Sequence, residues 1–185
     1  MIISQDGKTN HEINNRVKKA ANVYYQLHNA VIGKNEISYN TKMQIFNSVY
    51  LPTLTYGTES LIIGHREESR ITSAEMKFLR RAAGKTRRDR IRNNTIRNEF
   101  RTTPLTDTIK SNCLKWYGHV KRMPERRLPK QLIETRPTGM RTRERPRKEW
   151  KDQIKEIAEE KGRSLRELEK LLKNKKEYNI WATRR

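Results

Sequence analysis

Apolar residues recur at alternating steps of four and three through Ile13, Val17, Ala20, Tyr24, Leu27 and Val31, which lines one face of an α-helix. Thr9 with Glu12 reads as a capping box at its start, and Gly33 as the residue just past its end. Arg16, Lys18 and Lys19 fall off that apolar row. Ser38 heads a second stripe of Met43, Phe46, Val49 and Tyr50, which Pro52 breaks or kinks by removing a donor and crowding the preceding turn. The segment from Leu54 to Ile63 is apolar enough to continue as helix or to run extended past Gly57, and helix is the favoured expectation. A third stripe, Ile71, Ala74, Phe78 and Ala82, predicts a helix from about Glu67 to Ala83 that Gly84 ends. Three such helices on short links predict a small antiparallel bundle.

Further on, Thr103 stands as a cap with Pro104 at the first helical position, where a missing amide costs nothing. Leu105, Ile109, Cys113, Trp116, Val120 and Met123 form the next stripe, stopped by Pro124. From Pro124 to Arg145 there is no apolar period, only three prolines and seven Lys/Arg, so that span reads as a linker without order of its own. Pro146 opens a helix through Trp150, Ile154, Ile157 and Ala158, and a turn at Gly162-Arg163 leads into a second one. Ser164 with Glu167 caps that second helix, which carries Leu165, Leu168, Leu171 and Leu172, completing a helical hairpin. At the other end, Ile2 and Ile3 before the Asp6-Gly7 turn read as the stub of a sheet. The pattern as a whole predicts an all-α chain. Its segments are a helical bundle (1–84), a basic connector (85–123), a linker (124–145) and a terminal hairpin (146–185).

Charge changes this picture most. In a chain of 185 residues, 42 Lys/Arg face 21 Asp/Glu for a formal net charge of +21, and only 33% of residues are apolar. Between Lys77 and Arg101 ten Lys/Arg stand against two acids. Crowded guanidiniums repel one another, a cost no globular core requires. A polyanion relieves it, because each neutralised phosphate releases condensed counterions. The plain alternative is a solvated helix face, but the excess recurs downstream, which favours nucleic acid. Arg80, Arg81, Lys85, Arg87, Arg88, Arg90 and Arg92 are the first-rank contacts; Lys121, Arg122, Arg141, Arg143, Arg145, Arg147 and Lys148 form a second rank. From Arg147 onward 13 basic residues meet 8 acidic ones, so the hairpin reads as a packing element.

Other chemistry finds little support. Cys113 and the four histidines have no metal-ligand spacing, and no apolar run approaches the ~20 residues of a membrane span. The first residues lack the order of a secretory signal, which implies an intracellular protein. Gly84-Lys85-Thr86 suggests a phosphate loop, but Leu79 stands where the first glycine belongs and a helix precedes it. The aspartates never pair, so two-metal phosphoryl transfer has no ligands here. Trp116, Tyr117 and His119 beside Lys121-Arg122 offer rings for stacking bases, although the register of Trp116 with Ile109 and Val120 favours the core for it. Two capped helices at Trp150 to Leu172 also allow a helix-turn-helix reading, a common pattern and so a weak one. Gly139 to Lys148, GMRTRERPRK, is similar to an AT-hook, but Glu144 puts bulk and negative charge where a minor-groove arm needs glycine. Loose phosphate contact suits the run better, and its composition also fits a nuclear import signal. The alternative function is a host chromatin- or RNA-binding protein that uses this run as a groove arm.

Taken in order, several pieces resemble one family. They are Ile3-Ser4-Gln5-Asp6-Gly7 with Glu12-Ile13 and Arg16-Val17; Leu54-Thr55-Tyr56-Gly57-Thr58-Glu59; Leu79-Arg80-Arg81 with Gly84; and Asp89-Arg90-Ile91-Arg92-Asn93. After these come Leu114-Lys115-Trp116-Tyr117-Gly118-His119-Val120-Lys121-Arg122-Met123, then Arg145-Pro146-Arg147-Lys148 with Trp150. The series resembles the C-terminal part of non-LTR retrotransposon reverse transcriptases over nearly the whole chain. The resemblance implies that the first helices form the polymerase thumb, which clamps the template-primer duplex. It implies that the basic centre and the Trp-Tyr-Gly-His-Val helix help hold RNA and target DNA. The family's catalytic aspartates and endonuclease would lie upstream, so this chain alone would be inactive as an RNA-directed DNA polymerase. It would need no cofactor, with Mg²⁺ required only by the complete enzyme. Leu61 where the family has Trp, Cys113 where it has Arg, and Glu144 for the hook glycine depart from the pattern and suggest a partial or decaying copy.

Overall fold

The computed structural model describes residues 9–135 and 148–184, and every regular element among them is helical. The chain divides into two compact units. One takes the described residues up to Gly57 together with Ile63–Ile109; the other takes Thr58–Ile62 and the described residues from Lys110 onward.

In the first unit, α1 (Asn10–Leu27) runs into a π-turn over His28–Ile32. The predicted capping box does not form: Thr9 makes no side-chain cap bond, and Glu12 is buried in an ion pair with Arg16 at 2.5 Å. Gly33 also ends the helix differently from expectation, with a right-handed φ of −82°, because the wider π-turn already redirects the chain. Ser38 caps α2 (Tyr39–Ile45), accepting from the Thr41 amide at 3.2 Å. A second π-turn at Phe46–Tyr50 joins it to α3 (Leu51–Thr55). Pro52 therefore sits in the first turn of α3, where no intrahelical donor is needed, and the helical path passes it. Helix does not continue from Leu54 to Ile63: Gly57 turns the backbone at φ +68°, and only a 3-10 turn at Thr58–Ser60 follows. α4 (His65–Ala82) supplies the longest buried stripe, Ile71, Ala74, Phe78, Leu79 and Ala82. Phe78 packs against Phe46 and Tyr50 with ring centres 5.1 and 4.8 Å apart, and the Tyr50 hydroxyl donates to the Ala74 carbonyl at 2.8 Å. α5 (Asn93–Glu99) buries Ile96 beside this core.

α6 (Leu105–Lys121) gives Leu105 and Ile109 to the first unit and Cys113, Leu114, Tyr117 and Val120 to the core of the second. Trp116 is only half-buried, a correction to the sequence reading. Tyr117 takes the core position instead, since the buried stripe drifts by one residue along a straight helix of 3.6 residues per turn. The span read as a linker holds a short helix, α7 (Leu128–Glu134), in its described part; the rest of it, residues 136–145, lies outside the described residues, as do the first eight. The terminal hairpin is a three-helix arrangement: α8 (Trp150–Glu160), α9 (Leu165–Leu171) and an unpredicted α10 (Lys175–Thr183) capped by Asn174. α10 inserts Tyr178, wholly buried, with its hydroxyl donating to the Leu114 carbonyl at 2.5 Å. Gly118 is what admits that ring, for a Cβ there would stand 2.3 Å from Tyr178 Cε1.

Candidate nucleic-acid interface

α4 stops in two stages that project a loop. The Gly84 amide donates to the Arg81 carbonyl at 3.0 Å and the Lys85 amide to the Arg80 carbonyl at 2.8 Å, with Gly84 at φ +66°. This pair of bonds around a left-handed glycine satisfies the last helical carbonyls and turns the chain outward. Buried Lys42 donates to the carbonyl of Ala82, the last residue of α4, and so places a cation against the negative end of the helix. The loop then folds on itself, since the Asp89 carboxylate accepts from the Thr86 amide at 2.6 Å and its hydroxyl at 3.1 Å. Those two bonds, with Lys85 and Arg80 nearby, hold the Asp89 carboxyl below its usual range. Arg90 adopts a left-handed φ of 51° as the loop turns back.

Two arginines of this region serve the fold. Arg80 is part-buried and ties the returning strand of the loop to α4, donating to the Ile91 carbonyl and to Asn93 Oδ1, both at 2.7 Å. Arg97 is buried and forms a forked pair with Glu75: Nε to Oε1 at 3.2 Å and Nη2 to Oε2 at 2.7 Å. Glu75 Oε1 also accepts from the Leu105 amide at 3.3 Å, so one carboxylate fastens α4, α5 and the start of α6. Sequence reasoning missed this lock, because Arg97 lies within the basic run and Glu75 looks like one more polar residue of α4. The one usable signal is position: Glu75 falls one residue from Ala74 on the buried side of the helix.

The remaining first-rank residues are exposed: Arg81 at the end of α4, then Lys85, Arg87, Arg88, Arg90 and Arg92 in the loop. None of them is paired with an acid among the described residues. The second rank is placed differently. Lys121 sits between Glu134 at 3.2 Å and Glu169 at 3.8 Å, and Lys148 pairs with Glu156. Arg122 lies over the Tyr178 ring, 5.4 Å from its centre, with Nη1 buried. Arg141, Arg143, Arg145 and Arg147, and with them the hook-like run except Lys148, fall outside the described residues.

In the second unit Trp116 and His119, with ring centres 5.5 Å apart, line an open cleft of about 340 Å³ with Glu59, Asn112 and Lys115. Cys113, behind that face, is buried, and burial pushes its thiol pKa up to about 12, so it is no nucleophile. Among the described residues no three His, Cys, Asp or Glu side chains are placed to hold a metal ion, and no helix is long and apolar enough to cross a membrane. Compared with known proteins, the chain matches no family model, no curated protein and no solved structure.

Proposed function

We propose that this chain grips nucleic acid through phosphates, as the thumb and downstream connector of a non-LTR retrotransposon reverse transcriptase whose catalytic palm is a separate, upstream segment. The observation that carries the grip is the loop after α4. Five exposed cations, Lys85, Arg87, Arg88, Arg90 and Arg92, share eight residues with one carboxylate, and that carboxylate is hydrogen-bonded to Thr86. A fold that wanted only solubility would intersperse acids, as the second unit does with its Lys–Glu pairs. The loop's backbone is tied at both ends, by the Gly84 turn and by Arg80 on Ile91 and Asn93, which keeps its cations together on one short segment. Template-primer duplex, target DNA and structured RNA all offer the matching polyanion, and a nuclear location follows from that role.

The test is a set of single substitutions, Arg87→Ala, Arg88→Ala and Arg90→Ala, assayed on duplex and on structured RNA across a salt series. Each should weaken binding evenly over sequences and lower the salt slope by about one. A change in sequence preference, or unchanged affinity in all three, would rule the phosphate grip out.

A further inference from the structure

We propose that the Trp116 cleft is a binding site for an unpaired, amino-bearing nucleobase within a single strand; the proposal deepens the phosphate-grip reading and rests on it for the nature of the polymer. Asn112, Lys115, Trp116 and His119 are spaced three, four and seven residues from the first, so α6 presents them on one face. The core is served without them, by Cys113, Leu114, Tyr117 and Val120. Trp116 is therefore not needed to fill the interior, and its ring stands with that of His119 at an interplanar angle of 38°. The fifth lining residue, Glu59, comes from the 3-10 turn, whose backbone is anchored where its carbonyl accepts from Trp150 Nε1 at 3.0 Å.

Of the lysines of this unit, Lys110, Lys121, Lys148 and Lys155 are each engaged by a glutamate, whereas Lys115 at the cleft is not. The Glu59 carboxylate, the Asn112 amide, the Lys115 ammonium and the Trp116 indole N–H have no partner among the described residues, although they surround one concavity. A planar ring flanked by one carboxylate, one amide and one ammonium matches a nucleotide. The base stacks on Trp116, Glu59 accepts from an exocyclic amine, and Lys115 meets the phosphate. Adenine, cytosine and guanine carry that amine; uracil and thymine do not. A paired duplex hides base faces in its stack, so the ligand is a single strand.

The test compares two labelled strands of equal length and equal phosphate number, oligo(dA) and a chain of abasic residues, by fluorescence anisotropy with the full chain. Wild type should hold oligo(dA) roughly fivefold to a hundredfold more tightly, the effect of stacking one base. Trp116→Ala should erase that difference while leaving the abasic affinity unchanged, and Trp116→Phe should restore part of it. Glu59→Gln should narrow the preference for oligo(dA) over oligo(dT). Equal binding of the two strands by wild type, or a Trp116→Ala variant that weakens both alike, overturns the base site. Tighter binding of oligo(dA) that ignores Arg87→Ala and Arg88→Ala would sustain the base site and sink the phosphate grip.

Discussion

Replacing Glu75 by Leu should be among the most damaging single changes in the first unit. The Glu75 side chain is 1% exposed and that of Arg97 8%, so the substitution leaves a guanidinium in the interior with no counter-charge. It also removes the acceptor of the Leu105 amide. Breaking a buried ion pair from one side costs about 3–5 kcal/mol. An orphaned amide adds about 1–3 kcal/mol. Against the ~5–15 kcal/mol that holds a typical domain together, this is a quarter or more of the total. The paired variant, Glu75→Leu with Arg97→Met, keeps the volume apolar and should recover most of the loss, short of the amide. Urea titration followed by helical circular dichroism reads the difference, and hydrogen exchange at α4 and α5 amides assigns it to this unit. If Glu75→Leu alone shifts stability by less than about 1 kcal/mol, the pair is not the buried lock described here.

Other consequences are as definite. Gly118→Ala would gain up to about 1 kcal/mol in an open helix. Here its methyl meets a buried ring at 2.3 Å, so it should instead destabilise by about 1–3 kcal/mol, measured by the urea midpoint. Cys113 should resist a thiol reagent in the native protein at pH 8 and react at once in guanidinium. Its thiol titrates higher in the folded chain than in the unfolded one. The stability tied to it is therefore whole below about pH 9, the ordinary value, and is lost as pH rises toward about 12, which alkaline melting curves check.

Much of both units is legible in the sequence where local rules and packing agree. Ser38 caps its helix as a small hydroxyl should, Gly84 and Gly162 take left-handed backbone where helices end, and the Ser164–Glu167 box forms. Misreadings arise where tertiary contacts claim a side chain that local rules assign elsewhere. Glu12 is buried in an ion pair with Arg16, and Tyr117 displaces Trp116 from the core. α10 stayed hidden because its apolar residues, Tyr178, Trp181 and Ala182, are too few to show a period before Gly118 gives them a seat. The basic loop was visible from charge alone. Which of its arginines are free was not: Arg80 and Arg97 differ from Arg87 and Arg88 only in what lies beside them in space.

The central claim is that the loop cations are clustered to hold phosphodiester, and the salt dependence of binding by the purified chain tests it most directly. Five phosphate contacts give a slope of about −4.5 in log affinity against log salt, or a loss of about 500-fold between ~50 and ~200 mM. A slope near that value on both duplex DNA and structured RNA is the predicted result. A flat line, or no binding to either in dilute buffer, contradicts the account.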